Sequence, residues 1–385
     1  MITGIPMESF PDEKRVAIIP AHVPALINAG VTVHVQKNAG RAAGFTDEAY
    51  REKGAKIVND RKRLFAAADI ILQVRAAGAN PDNGLQDIKL MKKGSLLIGF
   101  LNPYSSSDML NALAKANVTS FAMELIPRIT RAQSMDALSS MASISGYKAA
   151  LMAACALPRL YPMMMTAAGT ITPAHVFVIG AGVAGLQAVA TAHRVGAVVN
   201  AYDVRPAVKE QVESLGAKFV ELNLESETAQ DKGGYAKEMS KQFYDKQREL
   251  MARVIAESDV VISTASVPGK KAPLLITEEM VKSMKPGSVI VDLAAEQGGN
   301  CVLTKPGRTV EKYDVRIIGP VNLPATMPYH ASQLYSKNVS SFLLPLIKEN
   351  CLDLSCRDEI AAETILTHEG KVANERVKQA LGLQS

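Results

Sequence analysis

The sequence predicts an α/β protein with two doubly wound parallel sheets, separated by a cleft and joined by long crossing helices. Three observations predict it: a length of 385 residues, two successive rhythms of short apolar runs alternating with helical patterns, and one glycine-rich turn opening the second rhythm. A chain of this length exceeds one ordinary hydrophobic core and suits two domains of about 150 to 200 residues.

The first rhythm is TGIP, VTVHV, AKIV, DIILQV, SLLIGFL and TSFAMEL. Successive runs lie mostly about 20 to 30 residues apart, the spacing of strand–helix–strand units in a parallel sheet. Next comes a polar stretch, IPRITRAQSMD, from Ile126 to Asp136, and then a small-residue helix from Ser139 to Cys155, expected to cross between the domains. A broken region, LPRLYPMMMTAAGTITP, leads into the second rhythm: HVFVIG, VVNAYD, KFVEL, DVVIST, SVIVDL and VRIIG. A helix near Ser336 to Lys348 is expected to return to the first domain, because the second sheet is complete without it. Polar sequence and a final amphipathic piece, HEGKVANERVKQAL, close the chain. The first domain is thus expected at residues 1–138 plus 326–385 and the second at 139–325.

Composition narrows the function classes. Apolar residues make up 48% and charged residues 21% of the chain, without low-complexity tracts, which is the balance of an ordered globular protein. A net charge of +5 is mild at this length, and basic residues are interspersed with acids, so nucleic acid is a poor partner. No apolar run reaches about 18 uninterrupted residues, and the N-terminus lacks the basic-then-apolar pattern of a signal peptide; a soluble, unexported chain is expected. Cys155, Cys301, Cys351 and Cys356 lack paired spacing, and Cys155 sits in an apolar helical run, so reduced, mostly structural thiols are expected. The histidines are scattered without ligand spacing, so no metal is expected. Met163 to Met165 read as core or interface filler.

The passage HVFVIGAGVAGLQAVATAHRVGAVVNAYDVR carries the most chemistry. Gly180, Gly182 and Gly185 stand in G-x-G-x-x-G spacing after a buried-strand run, with Ala181 and Val183 between them and a helix following. Gly180 permits the tight turn, Gly182 lets a pyrophosphate approach the backbone, Gly185 allows close helix-on-strand packing, and the helix N-terminal amides face the phosphates. A lone glycine triplet is weak; strand, helix and a second strand ending in Asp203 supply the context the motif requires. This makes the second domain Rossmann-like. Asp203, in the run Asp203-Val204-Arg205, can accept both hydroxyls of an adenosine ribose and would repel a 2′-phosphate, favouring NAD(H) over NADP(H). Arg205 has two readings, a partner for that phosphate or a solvated or pyrophosphate-side charge. Thr264 and Ala265 end a strand in small residues where a flat ring could pass over the backbone. Glu296 and Asn300 read equally as cleft residues or as neighbours of a turn made by Gly298 and Gly299.

These passages, together with GGYAKEMS, KPGSVIVDLAAEQGGNC and above all PRITRAQSMDALSS, closely resemble the NAD(H)-binding component, domain I or alpha subunit, of proton-translocating nicotinamide nucleotide transhydrogenase. The resemblance runs from GIP and EKRVAIIP to at least SQLYSKN. It implies that Arg128, Gln133 and Asp136 lie beside the dihydronicotinamide ring, with Ser139 just beyond, and that GGYAKEMS is a mobile loop with Tyr235 at its tip. It also implies a Si-face/Re-face specific reaction, a homodimer, NADP(H) on a partner component, and a membrane-embedded proton-channel component. The chain would then be a separate subunit or an excised piece of a longer one, peripheral on the inner membrane in the cytoplasm, or in the matrix if mitochondrial. For Asp136 a second reading stays open: aspartate is a good helix N-cap, as is Ser134. Arg131 reads as an ion-pair partner that shapes the loop.

The resemblance extends to alanine dehydrogenase, an alternative that can be weighed chemically. Oxidative deamination needs a general acid/base and cations for the substrate carboxylate. In alanine dehydrogenases these are an arginine matching Arg15, a lysine where this chain has Arg75, and a histidine where it has Asn102. Arginine hardly ever gives up its proton and asparagine cannot shuttle one. Those enzymes also carry aspartate where Glu296 stands; only the tail THEGKVANERV points toward them. Hydride transfer between two nicotinamides needs no protein acid or base, only rings held close, aligned and shielded from water. A third possibility, a non-catalytic NAD(H)-responsive module, has no feature of its own.

Overall fold

The computed structural model describes residues 1–105, 107–221, 241–267, 269–354 and 358–383, the side chains of 241–245 excepted. The chain divides into two compact units, Met1–Met141 with Pro324–Ser385, and Ala142–Leu323. The boundary near Met141 falls inside a continuous helix, Ala137–Ala156.

In the first unit the sheet order is Lys371–Val372, Ile365–His368, Thr119–Ala122, Leu96–Phe100, Ile70–Arg75, Ile2–Ile5, Thr32–Gln36, Lys56–Val58. The six strands before the fingerprint all pair in parallel, while the last two of the chain add an antiparallel edge. Those last two correct the expected amphipathic tail. Glu369 and Gly370 both have positive φ, 47° and 75°, the backbone of a tight two-residue hairpin, so only Glu375–Leu381 is helical. The returning helix also differs from expectation. It spans Pro328–Leu343, starting earlier because Pro328 suits the first helical turn, and ending ahead of Pro345, whose ring cannot continue a helix. It is stitched to its unit by buried polar bonds across long sequence distances: Val16 N–H to Ser332 Oγ at 3.0 Å and Ile19 N–H to Ser336 Oγ at 3.1 Å from the segment after the first strand, and Tyr335 hydroxyl to the Gln73 carbonyl of the sheet at 2.8 Å.

In the second unit the order is Lys218–Phe219, Val198–Tyr202, His175–Ile179, Val260–Ser263, Val289–Asp292, Val315–Gly319, Arg308–Lys312. The first six are parallel and doubly wound, the Rossmann-like arrangement the sequence predicts. Both faces are covered, which is why these strands read as unbroken apolar runs. Val176, Val178, Ile262 and Val291 pack on one side, Phe177, Ile179, Val261 and Ile290 on the other. Arg308–Lys312 is an antiparallel edge strand that the sequence does not announce, since its charged, exposed residues suit an edge that must resist further pairing.

Two smaller corrections concern sulfur. Met163, Met164 and Met165 are 60%, 42% and 76% exposed at a hairpin of Met164–Thr166 with Gly169–Ile171, so they are not core filler. Cys155 is exposed on its helix rather than buried; Cys301 is buried, and burial pushes its thiol up to about 11. Among the described residues, no helix is long and apolar enough to cross a membrane.

Candidate active site

At the carboxyl end of His175–Ile179 the chain turns at Gly180, with φ of 95°, and enters the helix Val183–Val195. A Cβ on Gly185 would lie 1.8 Å from the Gly180 carbonyl oxygen, so helix and turn touch backbone to backbone. A Cβ on Gly182 would meet nothing within 4 Å. Gly182 is the N-cap residue and offers no side-chain cap, so the helix start is left uncapped by any side chain, beside an exposed Val183. That is the geometry an anionic phosphate needs, with aligned donors, favourable helix dipole and no side chain in the way. The neighbouring strand Val260–Ser263 ends alongside: Thr264 N–H donates to the Ile179 carbonyl at 2.8 Å, and its hydroxyl to the Gly180 carbonyl at 3.0 Å. The turn therefore sits where strand order reverses, the place ligands bind in open α/β sheets.

Asp203 follows the next strand over and is tied to the turn, Oδ2 accepting the Ala181 N–H at 2.7 Å. Arg205 folds back on the same carboxylate. Its backbone N–H and Nε donate to Oδ1 at 2.9 and 2.8 Å, and Nη2 to Oδ2 at 2.8 Å. The pair is largely buried, and the carboxylate raises the guanidinium pKa further above its ordinary value. Neither sequence reading of Arg205 includes this partner; Val204 between them packs against the second core face. Ala265 is bracketed by Asn300, whose side chain accepts the Ala265 N–H at 3.1 Å and donates to its carbonyl at 2.8 Å. Asn300 is fully buried, so of its two readings the scaffold one fits. Gly298 and Gly299, with φ of 101° and 79°, make the turn before it. Glu296 is exposed and accepts the Asn322 N–H at 3.0 Å. A residue that sequence reasoning misses underlies this corner: Asp292, fully buried, accepts from Ser263, Ala294, Asn300, Cys301 and Thr304. Only its place at a strand end hints at that.

The loop residues belong to the first unit. Thr130–Met135 forms a 3-10 helix in which Gln133 is exposed, and Arg128, also exposed, precedes it. Asp136 caps the following helix, Oδ1 accepting the Ser139 N–H at 2.8 Å and Oδ2 the Ser139 hydroxyl at 2.6 Å. Asp136 and Ser139 are thus brought together, and capping is a role the structure gives Asp136 whatever else it does. Arg131 pairs with Asp358 at the surface, the ion-pair role expected of it. Asn338 of the returning helix, buried, donates Nδ2 to the Ser134 carbonyl at 2.9 Å and so holds the loop from beneath; a polar residue inside a helix gives little sign of this in sequence. Tyr235 lies outside the described residues.

Arg75 and Asn102, the positions that weigh the alternative chemistry, line one cavity of about 460 Å³ in the first unit with Phe10 and Asp108. Arg75 Nε donates to the Ala79 carbonyl at 3.0 Å and its guanidinium lies 3.9 Å over the Phe10 ring. Asn102 has φ of 46°, and its N–H donates to Glu124 at 2.6 Å. Withdrawal from water pushes the Glu124 carboxyl up to about 7 and that of Glu8, which accepts the Val74 and Arg75 N–H groups, up to about 8. Arg15 is buried against Glu13 at 2.6 Å.

Comparison with known proteins gives these features a context. Residues 4–145 match the family model described as alanine dehydrogenase/PNT, N-terminal domain, and residues 149–375 the model for the C-terminal domain. The chain is 46% identical over 377 residues to an NAD(P) transhydrogenase alpha-subunit protein of Rhodospirillum rubrum, covering 97% of this chain and 98% of that protein. It is 30% identical to alanine dehydrogenase of Mycolicibacterium smegmatis, covering 100% of this chain and 97% of that one. The crystal structure of transhydrogenase from Sinorhizobium meliloti superposes with a TM-score of 0.85 at 42% identity, covering 98% of this chain and 100% of that one.

Proposed function

Because the chain belongs to the alanine dehydrogenase/PNT family, we propose that it is the NAD(H)-binding component of a proton-translocating transhydrogenase. In this reading the Gly180–Gly185 turn and the uncapped helix start hold the pyrophosphate, Asp203 the adenosine ribose, and Thr264 with Ala265 the nicotinamide end. NAD(H), when bound, supplies or takes the hydride exchanged with NADP(H) on a separate partner. The chain's own residues bind, orient and exclude water. Arg128 and Gln133 grip the carboxamide, while Asp136 and Ser139 add polar contacts at the head of their helix. No proton passes through them. Positioning of this kind can supply several powers of ten in rate without acid–base chemistry.

The observation that carries this reading over amino-acid deamination is the pair Arg75 and Asn102. One is a guanidinium stacked on Phe10, the other an amide, and neither can relay a proton. The higher identity to the transhydrogenase subunit points the same way. The exposed methionine hairpin, with Met165 76% exposed, supports a homodimer. Proton movement would belong to a membrane partner, so the chain acts at the membrane surface, on the cytoplasmic or, in a mitochondrion, the matrix side. The test mixes purified chain, NADH and an NADP⁺ analogue with or without an NADP(H)-binding component. Transfer that depends on the partner is expected; NADH oxidation that depends on pyruvate and ammonia would overturn the reading.

A further inference from the structure

We propose that Arg205 is an internal plug on the ribose-binding carboxylate, exchanged for the nucleotide's hydroxyls on binding, and that it sets how sharply the site discriminates against a 2′-phosphate. This rests on the reading of Asp203 as the ribose ligand. An ionised carboxylate offers about four acceptor positions. All four are used: by Ala181 N–H, by Arg205 N–H, and by Nε and Nη2 of Arg205. The two backbone donors are fixed by the turn and the strand end. The two guanidinium donors sit on a side chain that can rotate away. A ribose presents two adjacent hydroxyls, so the exchange balances: two N–H donors leave and two O–H donors arrive.

The exchange has a cost and a consequence. Arg205 is only 17% exposed and grips through two parallel bonds, so NAD(H) must displace a charge-assisted pair before Asp203 can be used. While it stays near, the guanidinium also neutralises the charge that would repel a 2′-phosphate, and offers that phosphate a partner. Removing it should therefore move the two nucleotides in opposite directions. A variant that merely damaged the fold would weaken both.

The experiment measures NADH and NADPH dissociation constants, by nicotinamide fluorescence on the full chain, for wild type, Arg205→Gln, Arg205→Lys and Asp203→Asn, with melting temperatures alongside. Arg205→Gln should tighten NADH by roughly three- to tenfold, the worth of a partly exposed ion pair, and weaken NADPH. Arg205→Lys, keeping charge but losing the planar fork, should fall between. NADH affinity that is unchanged or weaker in Arg205→Gln would overturn the plug. The Asp203→Asn arm separates the two claims: NADH affinity and selectivity unchanged there would overturn the ribose assignment itself, whereas a loss there with no gain in Arg205→Gln overturns the plug alone.

Discussion

A methyl group at Gly185 and one at Gly182 should have opposite kinds of effect. At Gly185 the added Cβ would lie 1.8 Å from the Gly180 carbonyl oxygen and 2.8 Å from its carbon. A relaxed carbon–oxygen contact is about 3.3 Å. Turn and helix must therefore separate by about 1.5 Å, and the obstacle is backbone, with no flexible side chain to give way. Overpacking costs about 1 to 3 kcal/mol, and the upper half of that range applies here. For a unit the size of Ala142–Leu323 this lowers the melting temperature by roughly 5 to 10 °C. The shift also drags on Ala181, whose N–H holds Asp203, so NADH binding weakens too. At Gly182 the φ of −76° suits any L-residue and the Cβ meets nothing within 4 Å. Gly182→Ala should melt within about 2 °C of wild type, yet bind NADH tenfold or more weakly, taking about 1.4 kcal/mol per tenfold, because the methyl occupies the space a pyrophosphate needs. Thermal melts and NADH titrations on both variants decide it. A Gly185→Ala chain as stable as wild type would refute the packing argument, and a Gly182→Ala chain that binds NADH normally would refute the phosphate assignment.

Arg128→Ala and Gln133→Ala should each depress hydride transfer far more than NADH affinity, since most binding energy lies at the adenosine and pyrophosphate end; equal losses in stopped-flow rate and titration would make the loop merely structural. Asp136 can be dissected by two variants: Asn keeps the N-cap, Ala loses it at about 1 kcal/mol. Loss of transfer in Asp136→Asn with an unchanged melt assigns the charge a role in the site, and full activity there leaves only the cap. Glu8 predicts a pH dependence. Its carboxyl rises from 4.5 unfolded to about 8 folded, so the folded state keeps a proton the unfolded state releases. The stability this gives is complete below pH 4.5 and is lost as pH rises to about 8, on the order of a few kcal/mol over the window. Glu8→Gln should flatten that slope in urea midpoints measured from pH 5 to about 8; parallel curves for the two chains would contradict it.

Much of the fold is legible in the sequence because its signals are local and redundant. Strands buried on both faces must be apolar throughout, so HVFVIG and SVIVDL stand out, and a position where a Cβ would fall 1.8 Å from another backbone oxygen favours glycine. Where the signal is a side-chain choice, sequence is mute. Nothing in DVR says that Arg205 turns back onto Asp203 rather than out to solvent, and nothing in SKNVSS says that Asn338 reaches the Ser134 carbonyl. Edge elements escape notice for a physical reason as well: Arg308–Lys312 carries the charges that keep an edge from pairing, and those charges hide its strand character. The tail hairpin does leave a trace, Glu369-Gly370, since both residues must adopt positive φ. The methionine run is ambiguous between core and interface because hydrophobicity alone does not say what covers it; its exposure removes the first option.

The claim that the chain only positions a hydride in transit is tested most directly by isotope tracing. NADH carrying deuterium at the transferred C4 position is incubated in ordinary water with the chain, NADP⁺ and the NADP(H)-binding component, and the NADPH formed is examined by mass spectrometry and NMR. Deuterium should arrive at C4 of NADPH in full, without exchange with solvent. Solvent hydrogen at that position would contradict direct transfer.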